Sequence, residues 1–218
     1  MCIVSIFSSG KNDFILTHNR DESHFRPTSN EIFTETINEK EYTAPKDLVS
    51  GGTWIFYSEE YVCCILNGEY KIHSHQPPYR KSRGLVLIDL LNYHSIDEFV
   101  EKVDLEGIEP FTMIMLNRKI NEKKILVWDE KAKHLEDHSK ENLIIRSSSP
   151  LYTIDEKLSH IEEFKKLKNQ DSDAIFKLHK ELMMLPNDKF ETVQTTSITQ
   201  INVKNQQIKL KYCPISHD

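Results

Sequence analysis

The 218-residue sequence has no long apolar run, no excess of basic charge and no cysteines spaced as a pair. Each absence excludes a class of function. No stretch approaches the roughly 20 apolar residues that a membrane-spanning helix needs. Twenty-eight basic residues against 34 acidic ones give a net charge of -6, so the chain lacks the basic face with which proteins hold nucleic acid. The longest basic cluster, Tyr79-Arg80-Lys81-Ser82-Arg83, is short, and no basic amphipathic stretch suggests a membrane surface. The cysteines are Cys2, Cys63, Cys64 and Cys213. None forms a Cys-x-x-Cys motif, and the adjacent Cys63 and Cys64 suit neither a disulfide nor a zinc knuckle. There is also no internal repeat, low-complexity tract or obvious linker.

What is present fits an ordinary globular protein. The hydrophobic fraction is 38% and the charged fraction 28%, which excludes bulk disorder. A chain this long buries a substantial core without disulfides or structural metals, and a single domain over 1–218 is expected. Met1-Cys2-Ile3-Val4-Ser5-Ile6-Phe7 has no basic n-region, and Ser8-Ser9-Gly10-Lys11 ends its apolar run too early for a secretory signal. A cytoplasmic location with reduced thiols is therefore expected.

Turn residues and apolar patterning predict the elements. Cys2–Phe7 and Phe14–Asn19 flank a polar turn and read as a hairpin. Arg20 to Ser50, with Pro27 and Pro45, reads as a long loop with short extended pieces, of the kind that forms binding loops. Thr53–Tyr57 and Tyr61–Asn67 make a second hairpin. Arg83–Leu91 reads as a helix, and Ser95-Ile96-Asp97-Glu98 opens another through about Val103. Phe111–Leu116, Lys124–Asp129, His134–Glu136 and Leu143–Arg146 read as strands. Thr153-Ile154-Asp155-Glu156 is a further capping box, with Ile154, Leu158, Ile161 and Phe164 at helical spacing. Ser172 caps a helix that presents Ile175, Leu178, Leu182 and Leu185, and Pro186 stops it. Ser197–Asn202 and Gln207–Lys211 close the chain as a hairpin around Lys204-Asn205. Hairpin runs separated by helices predict an α+β fold with mainly antiparallel sheets. Unalternated runs such as Val62-Cys63-Cys64-Ile65-Leu66 predict strands covered on both faces. The arrangement that satisfies both is a four-layer αββα sandwich.

Four features bear on chemistry. Cys2 follows the initiator Met, whose removal leaves a thiol and an α-amine on one residue, a nucleophile with its own base. The amine titrates near 7.7–8.0, in range to take a thiol proton. Taken alone, Cys2 reads as an inert buried strand residue. Asn19-Arg20-Asp21-Glu22 ends the second strand, and an unbulged hairpin puts Cys2 opposite about Asn19. There a carboxylate can orient the amine and an Arg can favour the thiolate, although a solvated charged loop has the same composition. Gly51-Gly52-Thr53-Trp54 allows close backbone approach or simply a turn. Asn67, before Gly68, suits an oxyanion donor or a turn.

Met1-Cys2-Ile3, Asn19-Arg20-Asp21-Glu22, Arg26-Pro27, Gly51-Gly52-Thr53-Trp54 and Lys81-Ser82-Arg83-Gly84 together resemble the NRDE family, whose eukaryotic members are called Transport and Golgi organisation proteins. The likeness is strong to about residue 91 and rests on element order beyond it. It implies kinship with N-terminal-nucleophile hydrolases of the cholylglycine-hydrolase-like branch, which share the αββα sandwich. On that resemblance Cys2 is the nucleophile, Asp21 the orienting carboxylate and Asn67 the oxyanion donor. The branch's early Arg is His18 here, with Arg20 as substitute. Its later oxyanion Asn corresponds to Ser148, and Gln194 or Thr195 stands near its late Arg. Asn19, Glu22, Trp54 and His18 are the expected ligand-binding neighbours, and no metal or cofactor is required.

Two functions compete on this scaffold. One is an amidase that cuts a non-peptide C–N bond in a small acylated amine through Cys2. The other is a non-catalytic binder of haem or another apolar ligand, a role suggested by eukaryotic relatives, with His18, His24, His73 and His75 as candidate axial ligands. A partner-binding module ranks last, and the sequence does not specify an oligomeric state.

Overall fold

The computed structural model describes residues 2–10, 12–68, 70, 73–149, 151–186 and 189–215. In chain order its elements are β1 Cys2–Ser8, β2 Phe14–Ser23, β3 Thr28–Ile37, β4 Lys40–Asp47, β5 Ile55–Ser58 and β6 Tyr61–Asn67. Then come α1 Arg83–Asp89 with a 3-10 turn at Leu90–Asn92, α2 Ile96–Lys102, β7 Phe111–Asn117, β8 Glu122–Trp128, β9 Lys133–Asp137 and β10 Leu143–Ser147. The chain finishes with α3 Ile154–Lys165, α4 Ser172–Glu181, β11 Val193–Lys204 and β12 Gln207–Pro214. The fold is α+β, with two antiparallel sheets, as expected.

The chain divides into two compact units, 1–26 with 140–218, and 27–139. The first unit holds a five-stranded sheet of order β10-β1-β2-β11-β12 with α3 and α4. Its core joins Ile3 and Ile15 of the sheet to Phe164 of α3 and to Ile175 and Leu178 of α4. Each such side chain contributes about 1.5–3 kcal/mol on full burial. Buried polar groups pin both ends of α4 to the same sheet face. At its start, Ser172 Oγ donates to Gln200 Oε1 (2.7 Å), and Gln200 Nε2 donates to Thr17 Oγ1 (2.9 Å). At its end, Asn19 Nδ2 donates to the carbonyls of His179 (3.0 Å) and Met183 (2.9 Å). Asn19 Oδ1 then accepts from His179 Nδ1 (2.8 Å), which leaves His179 Nε2 to accept from Ser5 Oγ (2.7 Å).

The second unit is a seven-stranded meander, β3 to β9 in sequence order, with α1 and α2. Tyr61 to Leu66 are all buried, as the unalternated run predicts. Two motifs meet in this unit. A Cβ placed on Gly52 would lie 2.7 Å from the backbone carbon of Gly84, and one on Gly84 would lie 2.6 Å from Thr53 O. The paired glycines and the Ser82-Arg83-Gly84 start of α1 therefore form a backbone-to-backbone contact. Ser82 caps the helix by accepting from Leu85 N (3.3 Å), and Arg83 pairs with Glu109 (2.9 Å).

Several elements differ from expectation. The region from Arg20 to Ser50 is not mainly loop: β2 runs on to Ser23, and β3 and β4 pair around Asn38-Glu39, both at positive φ. No glycine marks that turn, and β3 is a half-exposed edge strand without clean alternation. On α3, Ile154 and Leu158 are exposed and Phe164 carries the packing. Asp171, not Ser172, caps α4 by accepting from Ala174 N (2.9 Å), and Leu182 is exposed. The last hairpin turns on Asn205-Gln206, one residue later than expected.

The glycine contact predicts that Gly52→Ala lowers stability by about 1–3 kcal/mol, because neither backbone can yield to the added methyl group. Urea denaturation of the variant, with Gly10→Ala as a control whose Cβ meets ordinary contacts only, checks this. Equal midpoints for the two variants would refute it.

Candidate active site

The site is built on the central hairpin of the first unit. Cys2 pairs with Arg20, and Ile3 with Asn19, one residue off the expected register because β1 runs on to Ser8, which pairs with Phe14 and shortens the loop by one. Strand pleating then places Cys2 and Arg20 on one face of the sheet, with Asn19 and Asp21 on the other. The second face is the helical one, since Asn19 bonds the end of α4. The first residue of β1 is held on both sides, because its carbonyl accepts from Ser148 N (2.8 Å) on the β10 side.

Cys2 is buried, at 3% exposure. Burial pushes its thiol above the ordinary range, and Asp21 adds to the rise, while Arg20 and the Asp21 backbone amide favour the thiolate. Arg20 is also buried; its Nη1 donates to Thr196 Oγ1 (3.1 Å), and that hydroxyl donates to the Arg20 carbonyl (3.1 Å). Asp21 is fully buried and accepts two short bonds, from Tyr152 Oη to Oδ2 (2.7 Å) and from Thr195 Oγ1 to Oδ1 (2.7 Å). Burial raises its carboxyl to about 6, and the two hydroxyls hold it from rising further. Burial also opposes ionisation of Glu22, but the positive charge of the chain's α-amine, Arg20, the Ser23 N–H and Arg26 together outweigh it, and the carboxyl lies below its ordinary value.

Of the expected site residues, the hairpin thus brings together Cys2, Arg20, Asp21 and Glu22. Asn19 and His18 are fully buried within the same unit, and the Asn19 amide is turned to α4. Asn67, at the end of β6, and Trp54, just ahead of β5, belong to the second unit. Ser148 reaches Cys2 through its backbone N–H. His73 and His75 both hydrogen-bond Glu109, at 3.2 and 2.8 Å, and His24 is exposed against Phe25. Among the described residues, no group of three or more His, Cys, Asp or Glu side chains could hold a metal ion. Sequence reading missed Tyr152, which is 131 positions from its partner. It had Thr195 only as the occupant of a missing Arg's place.

With this geometry established, comparison with known proteins places the chain. The family model for Transport and Golgi organisation 2 matches residues 1–215. The chain belongs to that family. A search of curated proteins finds no match. Solved structures show the fold. A Caenorhabditis elegans N-acylethanolamine-hydrolyzing acid amidase ortholog superposes with a TM-score of 0.66 at 14% identity, covering 92% of each chain. Penicillin V acylase from Agrobacterium tumefaciens gives 0.58 at 8% identity, covering 99% of this chain and 86% of that one. A variant of the conjugated bile acid hydrolase from Clostridium perfringens gives 0.53 at 9%, covering 98% and 92%. The family member described here thus has the fold of N-terminal-nucleophile hydrolases. Among its described residues, no helix is long and apolar enough to cross a membrane.

Two buried groups on the helical face respond to pH with opposite sign. Burial lowers His179 to about 3 from 6.5. Its contribution to stability is present above about pH 6.5 and is lost as pH falls toward 3. Asp21 is raised from 3.8 to about 6, so its contribution is full below about pH 4 and lost as pH rises through 6. Between these limits the two oppose each other. Asp21→Asn removes one side of the balance and should steepen the acid loss of stability by up to about 1.4 kcal/mol per pH unit. Replacing His179 with Gln should make the loss shallower. Denaturant titrations between about pH 4 and 7 read both slopes; parallel profiles in all three proteins would rule the assignment out.

Proposed function

We propose that this protein is an amidohydrolase that cuts a non-peptide C–N bond in a small acylated amine, with Cys2 as nucleophile once Met1 is removed. The observation that carries the reading is the pairing of Cys2 with Arg20 beside a buried Asp21. A thiol raised by burial is protonated at rest and needs a base. The α-amine freed by Met1 removal is on the same residue and supplies it. It takes the thiol proton as sulfur attacks the amide carbonyl carbon. It returns that proton to the leaving nitrogen as the C–N bond breaks. Water then hydrolyses the thioester, releasing the carboxylic acid and restoring the thiol. In this reading Asp21 orients the amine and Arg20 steadies the developing thiolate. The fold shared with an amidase, an acylase and a bile acid hydrolase supports the reaction class. The four cysteines are free, which suits a reducing compartment such as the cytoplasm.

The test is hydrolysis of an N-acylethanolamine, penicillin V and a conjugated bile acid by protein whose intact mass shows Met1 removed. At least one should be cleaved, with kcat reduced about 1,000-fold or more in Cys2→Ala. Undiminished activity in Cys2→Ala, or equal activity in protein that keeps Met1, would overturn the mechanism.

A further inference from the structure

The resemblance stated above leaves a gap on β11, where the branch's late Arg has no counterpart. What stands there is a β-bulge. Thr195 pairs with Asp21 and Ser197 with Arg20, so Thr196 is an extra residue with no partner in the ladder. In a regular strand Thr195 and Ser197 would face the same way. The bulge breaks that alternation, so Thr195 shares the Asp21 face while Ser197 shares the Arg20 face.

We infer that Tyr152 and Thr195 are positioning residues for Asp21, delivered by the α3 approach and by the bulge, and that together they fix the group that orients the Cys2 amine. The inference rests on the function proposed above and assigns the groups that hold its carboxylate. Thr195 Oγ1 accepts from Leu185 N (2.8 Å), so its one proton is directed to Asp21 Oδ1 (2.7 Å). Tyr152 Oη offers its proton to Oδ2 (2.7 Å). Each carboxylate oxygen thus meets a fixed donor. Both donors bind the ionised carboxyl more strongly than the neutral one, so they limit the rise that burial imposes. Tyr152 is itself held: its ring packs edge-on to His160 at 5.1 Å, and Lys189 Nζ lies 5.1 Å from its centre. The titratable and charged groups around Asp21 are Cys2 on β1, Arg20 and Glu22 on β2 and Tyr152 ahead of α3. The Cys2 amine joins them after Met1 removal, and β11 contributes the neutral Thr195.

The experiment is a carbon-13 titration of the Asp21 carboxyl in the full chain, its signal assigned by its loss in Asp21→Asn. Tyr152→Phe keeps the ring and removes the hydroxyl, and Thr195→Val keeps the shape. Each should raise the Asp21 midpoint by about 0.5–1 pH unit, while Thr195→Ser should hold it at the wild-type value. Where a substrate is cleaved, the acid limb of the kcat/KM profile should move with the midpoint in the same variants. Midpoints of Tyr152→Phe and Thr195→Val within about 0.2 units of wild type would overturn the inference. The titration needs no turnover. A chain that cleaves nothing but shows the shifts defeats the amidase reading and leaves the positioning intact.

Discussion

The site depends on one costly arrangement: a carboxyl with no solvent contact, held by two hydroxyls from distant parts of the chain. A buried carboxylate costs several kcal/mol unless donors replace its water. Supplying those donors brings three elements to one point. β2 carries the acid, the turn into α3 carries the phenol, and the bulge of β11 carries the threonine. The helices must therefore pack on this face of the sheet, and the polar pins at both ends of α4 hold them there. A local electrostatic demand thus shapes the helix packing of the whole unit.

The same face shows a division of labour that pleating imposes. The thiol and the guanidinium share one side of the sheet and the acid lies on the other, so burial raises the thiol more than Asp21 does, and in the proposed mechanism the acid serves the nitrogen of Cys2. That separation matters chemically. An acid beside the sulfur would oppose the thiolate, whereas an acid beside an amine steadies its charged form.

Much of this was legible in the chain. Hairpins turning on Ser-Ser-Gly and on Ser-Glu-Glu, the cap at Ser95, the capping box at Thr153 and the unbroken apolar run at Val62 each act through short-range geometry, and each element is found. The Cys2 hairpin could be placed to within one residue because the count across a turn is local. What escaped was of two kinds. The β3–β4 hairpin turns on Asn38-Glu39, where non-glycine residues take positive φ at a cost that sequence pattern does not advertise. The Tyr152 and Thr195 contacts to Asp21 link residues 131 and 174 positions away, and no periodicity encodes such a meeting. Asn19 shows the converse. It is part of the motif that named the family, yet its amide secures a helix, so a signature residue can be structural.

The placement of β1 has a practical consequence. Chain ends usually fray at a sheet's margin, but here the first strand is interior, with β10 on one side and β2 on the other. Anything fused ahead of Cys2 would extend from the middle of the sheet and withhold the free amine that the proposed mechanism needs. The last strand, β12, is an outermost one. An affinity handle or fluorescent reporter therefore belongs after that strand, where it leaves the proposed nucleophile's strand untouched.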